Sequence, residues 1–352
     1  MRMKATKLLQ VFFGIALLLN VSCNNDRSDD IPNPPAGAYS QGIIISNEGN
    51  FTTPNASVSF ATNDFGTVNQ DIYNKVNNEI TGDVLNTIGF KGDFAYLVLN
   101  YSNQIKIVNR YTFKKVGEIT KEIVSPRYIA FTDKYIYVTN DIYKGGKYVS
   151  IYNISDLSFV KKIDVSNVAE RIATANGNIF VQNASFGFGN KISYVNGSTN
   201  NLQSEITIPN GQIQNIVPYN NNIYVLSSDA GATDSYIYTL SDTGAITKTT
   251  ILKGVSQASK LRIDSGKFYY ATGVKVYAMD MNATAIPTTP IITTSESDQY
   301  SGLYGFDVID GKIYTADANK FTANSTVTVY SLTGNVLKTF EAGRGTNGFY
   351  KN

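Results

Sequence analysis

The sequence contains no histidine and no tryptophan, and its only cysteine is Cys23. Each absence removes a class of chemistry. Without histidine there is no imidazole general base, no Ser-His-Asp triad and no histidine-ligated metal. Without tryptophan there is no tryptophan-derived quinone. One cysteine permits no internal disulfide, thiolate pair or iron–sulfur cluster. No catalytic residue, resident cofactor or metal ligand set is therefore assigned, and the chain is expected not to be an enzyme. Charge is also sparse, at 16% of residues, and the formal net charge of +2 is accounted for by Arg2, Lys4 and Lys7 near the start. Nucleic-acid binders carry a basic excess, so nucleic acid is not an expected partner. What the chain does have is 24 Tyr, 28 Gly and many Asn. That is the composition of a β-rich, loop-rich globular protein.

The first 22 residues read as a signal peptide: Met1–Lys7 is basic, and Leu8–Val21 is mostly apolar but too short for a stable membrane span. The run ends Leu19-Asn20-Val21-Ser22-Cys23, which resembles a bacterial lipobox, with Asn20 where a larger apolar residue is usual. The resemblance implies lipidation of Cys23 and anchoring in the outer membrane; an ordinary cleaved signal with an incidental cysteine is the alternative. Residues 23–40 form a polar, proline-containing tether with a reach of about 60 Å. Asp26, Asp29 and Asp30 resemble the acidic signal of Bacteroidetes surface lipoproteins, which implies the outer face of that membrane, with the periplasmic face as the alternative.

Residues 41–352 are dominated by a repeat. Pro126–Val165 holds four short alternating runs separated by turn residues, the pattern of an antiparallel four-strand meander. An apolar–aromatic strand recurs as Phe94–Asn100, Tyr135–Asn140, Asn178–Asn183, Asn222–Ser227, Lys267–Thr272 and Lys312–Asp317. Its aromatic residues, Tyr96, Tyr137, Phe180, Tyr224, Tyr269 and Tyr314, are spaced by 41, 43, 44, 45 and 45 residues. A seventh copy, Gly42–Asn47, lies further upstream, and the excess length is expected as an insertion at Glu79–Val84. A period of 40–45 with four strands per unit predicts a β-propeller. The fold class is thus all-β, with seven blades of four antiparallel strands. The first blade lacks an inner strand, and Thr346–Tyr350 follows the last one, so the C-terminal strand is expected to complete the first blade. The repeated aromatics are read as packing between blades.

Pro126–Ile129, Tyr137–Asn140 and Val149–Tyr152 resemble the YncE-like seven-bladed propeller repeat. Ser46–Phe51, Gly82–Val84 and Asn347–Tyr350 look more specifically like the Bacteroidetes surface-lipoprotein propellers that include BtuG. That family captures vitamin B12 above an outer-membrane corrinoid transporter. The resemblance implies a corrinoid as bound ligand and a TonB-dependent transporter as partner.

In a propeller, the loops that enter the inner strands share one face with the loops between the second and third strands. That face is expected to display Phe51, Tyr101, Tyr143, Phe186, Phe188, Tyr300, Tyr304 and Phe321, together with Arg127, Arg171, Lys260 and Arg344. Aromatics beside arginine suit a large planar ligand with polar edges, and equally a protein partner. Several bland alternatives apply. Arg127 and Arg171 could simply bond neighbouring backbone, Phe186 and Phe188 could fold into a satellite cluster, and Glu48 and Asp83 could cap turns. A carboxylate-bound calcium lactonase, using acids such as Glu48, Asp83, Glu170 and Asp307, stays formally open.

Overall fold

The computed structural model describes residues 37–294 and 301–352. They form seven four-stranded antiparallel sheets. Blade 1 combines the C-terminal strand Thr346–Lys351 with Gly42–Asn47, Ser57–Thr62 and Val68–Asn69. Blades 2 to 7 follow in order, each starting with its inner strand: Leu85–Lys91, Pro126–Phe131, Ile172–Ala175, Gln212–Tyr219, Ser259–Asp264 and Gly305–Ile309. Each inner strand touches the next, and the strand at 346–351 touches both the first and last of the six, so the ring closes.

The burial pattern explains the sequence pattern. Second strands are sandwiched between neighbouring blades and buried on both faces, so they read as continuous apolar runs, as in Tyr135–Asp141. Fourth strands face solvent, and Asn201–Thr207 and Ile246–Leu252 are correspondingly polar. Tyr96, Tyr137, Phe180, Tyr224, Tyr269 and Tyr314 are all buried. They pack between adjacent blades: Tyr96 lies against Phe131 and Tyr224 against Phe268.

The asparagine that ends several of these strands fastens the loop above it. Asn100 donates to the Pro126 carbonyl, Asn140 accepts from the Val124 amide, and Asn183 donates to the Val168 carbonyl. In blade 1, Asn47 accepts from the Thr346 hydroxyl at 2.7 Å and so ties the two chain ends together.

Two features depart from the expected boundaries. The long connection between blades 1 and 2 contains a helix, α1 (Ile72–Asn77), just before the segment where the insertion was expected. Its Ile72 and Tyr73 are fully buried, but six residues are too few to give a helical period in the sequence. Residues 37–40 belong to the compact unit that runs to Asn352. Tyr39 is buried there, edge-on to Phe60 and Phe113. Cys23 and the rest of residues 1–36 lie outside the described residues, as does Tyr300. Among the described residues, no helix is long and apolar enough to cross a membrane.

Candidate functional site

Every inner strand carries a β-bulge where it enters the ring. The register slips at Asn347 in blade 1, Asn86 in blade 2, Arg127–Tyr128 in blade 3, Gln214 in blade 5 and Lys260–Leu261 in blade 6. In blade 4, Glu170 donates its amide to the Gln182 carbonyl while Gln182 donates to Arg171, so two residues oppose one. In blade 7, Tyr304 and Gly305 likewise share Ala316. A bulge re-aims a side chain that regular pleating would turn elsewhere. The result is one mouth ring made of Asn347, Asn86, Arg127, Arg171, Gln214, Lys260 and Tyr304. All seven are polar and half-buried.

The bulges are held from within the fold. The Tyr128 amide donates to the Thr139 hydroxyl, which donates to the Glu170 carbonyl, so blade 3 fixes the bulge of blade 4. Buried Asn215 exchanges two 3.0 Å hydrogen bonds with the backbone of Leu261, next to Lys260. Asn347 donates to the carbonyls of Leu85 and Asn86, and Asn86 donates to that of Arg127.

Charge is paired unevenly around this ring. Arg127 forms a two-pronged ion pair with Glu170 at 2.9 Å for both bonds. Burial works against the Arg127 charge, but Glu170 outweighs it and holds the guanidinium above its ordinary range. The Tyr304 hydroxyl donates to Glu48. Burial raises the Glu48 carboxyl even though Tyr304 and Arg127 favour its ionised form. Deeper in, Arg262 pairs with Asp307 at 3.0 Å. Arg171 lies over the Tyr128 ring at 4.6 Å. Lys260 donates to the Tyr304 carbonyl at 2.9 Å. Its burial, with the nearby charges of Arg262 and Arg171, lowers the ammonium to about 7.

The remaining predicted residues sit around the mouth. Phe51 (67% exposed) and Tyr101 (48%) meet edge to face at 4.6 Å. Tyr143 (85%), Phe186 (92%) and Phe188 (77%) stand in solvent. These five come from blades 1 to 4 in succession, so the aromatic rim covers one arc of the ring. Phe321 packs edge-on to Tyr304 at 4.9 Å and is half-buried. Arg344 fastens two loops, donating to Asn50 and to the Thr322 carbonyl. Neither Arg127 nor Arg171 bonds neighbouring backbone through its side chain among the described residues; a carboxylate and a ring take them instead.

Sequence reasoning named four of the seven ring residues and missed Asn86, Gln214 and Asn347; the Arg127-Tyr128 edge it marks does include Tyr128, which lies beneath Arg171. A signal existed: the residue nine or ten positions before each repeated aromatic is Asn86, Arg127, Arg171, Gln214, Lys260 or Tyr304. Among the described residues, no cluster of three or more acidic or cysteine side chains is arranged to hold a metal ion. A groove of ≈ 350 Å3 beside α1, lined by Asp71, Asn74 and Arg344 among others, lies at the blade 1 seam rather than at the ring.

The fold and the site together define a seven-bladed β-propeller with a polar, half-buried channel mouth. The chain belongs to the family described as Domain of unknown function (DUF5074), whose model matches residues 41–347. No curated protein matches it. Among solved structures, it is similar to a quinonprotein alcohol dehydrogenase-like protein from Bacteroides thetaiotaomicron, with a TM-score of 0.67 and 15% identity over 89% of this chain and 78% of that one. A functionally unknown protein from Desulfotomaculum acetoxidans gives 0.65 and 13%, covering 89% and 99%. The dihydro-heme d1 dehydrogenase NirN gives 0.57 and 9%, covering 92% and 78%. At these identities the likeness concerns the fold alone.

Proposed function

We propose that this chain is a lipid-anchored propeller of the outer membrane that captures a ligand at its channel mouth for a TonB-dependent transporter. The observation that carries this reading is the ring of seven bulges, each aiming a polar side chain at one entrance. Backbone carbonyls of the scaffold take the amide donors of Asn86, Gln214 and Asn347, but packing does not require Arg127, Arg171, Lys260 and Tyr304 at the other equivalent positions, whereas recognition of a ligand with several polar edges does. A corrinoid is the leading ligand because of the resemblance to the BtuG-containing lipoproteins. It has a broad ring face for the aromatic arc and peripheral amides for Asn, Gln and Arg. The surface-exposed location rests on the lipobox-like run at Cys23 and the acids that follow it. Equilibrium titration of the full chain with cobalamin and cobinamide tests the ligand, and absence of binding at micromolar concentration removes it. Protease shaving of intact cells tests the membrane face.

The pairing of three of the four acids counts against the calcium lactonase; Asp83 is the exception, with its Oδ1 buried and without a hydrogen-bond partner among the described residues. Glu170, Asp307 and Glu48 are engaged by Arg127, Arg262 and Tyr304. A second reading, a protein–protein module, is favoured by the Phe186–Phe188 hairpin tip, whose two aromatic side chains are exposed. Hydrogen exchange with and without an outer-membrane extract distinguishes it, because a protein partner would protect that tip.

A further inference from the structure

Two cations of the mouth have no carboxylate partner among the described residues. Glu170 takes Arg127 and Asp307 takes Arg262. Arg171 and Lys260 are left without an ion pair, although Asp307 also feels the charge of Arg171. The Tyr128 ring covers a face of the Arg171 guanidinium, and stacking leaves the in-plane N–H groups available. Lys260 spends one of its three donors on the Tyr304 carbonyl.

The backbone shows that this placement is enforced. Lys260 has φ +55°, in the left-handed region that side-chain-bearing residues enter only under constraint. Asn215 supplies part of the constraint by gripping both backbone polar groups of Leu261. Between the two cations, blade 5 contributes Gln214, whose amide nitrogen is turned to the backbone carbonyls of Gln212 and Ser228. Among the described residues, no carboxylate forms an ion pair with either cation. Like charges gathered in a partly desolvated mouth repel one another unless an anion joins them.

We propose that Arg171 and Lys260 form an oxyanion subsite in the channel mouth, which holds a phosphate or carboxylate group of the ligand. This deepens the capture reading and rests on the mouth being the ligand site, but not on the ligand being a corrinoid. Arg171 presents its planar fork, which matches two oxygens, and Lys260 presents a compact charge. Among the described residues, the charges acting on Lys260 are Arg262 on its own strand and Arg171 in blade 4, and Tyr304 of blade 7 lies against it. Asp307 is already paired, so nothing among them competes for the ammonium as an anion would. The lowered ammonium of Lys260 agrees with this, since a bound anion restores the charged form.

The test is isothermal titration of the full chain in nonionic detergent with inorganic phosphate and, separately, with acetate. Wild type is compared with R171Q, K260Q, R171K and the outer-strand control K248Q, with a thermal melt of each to confirm folding. The expected result is saturable binding of at least one anion by wild type. It should weaken at least tenfold in R171Q and in K260Q, recover in part in R171K, and stay unchanged in K248Q. The better-bound anion distinguishes phosphate from carboxylate. Absence of binding to wild type, or equal binding by a folded R171Q or K260Q, overturns the subsite. Cobalamin titrated into the same preparations separates the two readings. Unchanged cobalamin affinity in both variants refutes the subsite and leaves capture standing. Phosphate binding without cobalamin binding keeps the subsite and removes the corrinoid.

Discussion

Arg127 and Glu170 meet fork to fork across the boundary between blades 3 and 4, with both guanidinium-to-carboxylate distances at 2.9 Å. The pair is mostly shielded from solvent, and each partner extends from a bulge that the preceding blade holds in place, through Asn86 for Arg127 and Thr139 for Glu170. It therefore joins ring closure to the shape of the mouth. Arg127→Ala leaves buried Glu170 unpaired, and a loss of about 3–5 kcal/mol is expected in urea unfolding. The double variant R127Q/E170Q should recover most of that loss, because neither partner is then left charged. Equal destabilisation in the single and double variants would show that the pair matters only through packing.

The ring is latched by its last strand. Thr346 and Phe349 are buried, and the Tyr350 hydroxyl accepts from the Ile88 amide of blade 2 at 3.1 Å. A chain ending at Ala342 removes the inner strand of blade 1 and should lose its cooperative thermal transition. Phe349→Ala alone should cost about 3–5 kcal/mol. An unchanged melt of the truncated chain would refute the latch.

Lys260 is expected to make both stability and the proposed anion binding depend on pH. The folded-state ammonium titrates at about 7, well below the unfolded value of about 10.4. Below about pH 7 both states hold the proton. Between about pH 7 and 9 the unfolded chain holds more protons, so stability rises with pH. In K260Q that part of the rise should vanish. Sulfate keeps its charge over the same range, so its binding should weaken severalfold from about pH 6 to about pH 8.5 in wild type and stay flat in K260R.

The hairpin tip Phe186-Gly187 is a two-residue turn with both residues at positive φ, 52° and 77°. Asn-Gly is the usual choice there, because a bulky side chain is strained in that region. Phe186→Asn should therefore leave stability unchanged or raise it by up to about 1 kcal/mol. If the aromatic is kept for recognition, the same variant should weaken ligand or partner binding. A clear loss of stability would mean that the ring packs in solution.

The scaffold was legible because it repeats. Tyr137 and its counterparts recur at near-constant spacing, and the C-terminal Thr346–Tyr350 segment follows the last blade where a missing strand was needed. The mouth was legible only where charge or an aromatic ring stood out, as at Arg127, Arg171, Lys260 and Tyr304. Asn86, Gln214 and Asn347 were not, since polar residues are common in this chain and a bulge shifts register by one residue without changing the alternating pattern. Pairing was also hidden. Arg127 and Glu170 are 43 positions apart, and only the stacking of blades brings them together.

Ligand is proposed to enter at the mouth ring. Titration of the full chain with cobalamin, comparing wild type with Tyr304→Ala, R171Q and K248Q, tests it most directly. One saturable site is expected in wild type, with at least tenfold weaker binding in Tyr304→Ala and in R171Q and wild-type affinity in K248Q. Wild-type affinity in both folded ring variants would place the ligand elsewhere and contradict the account.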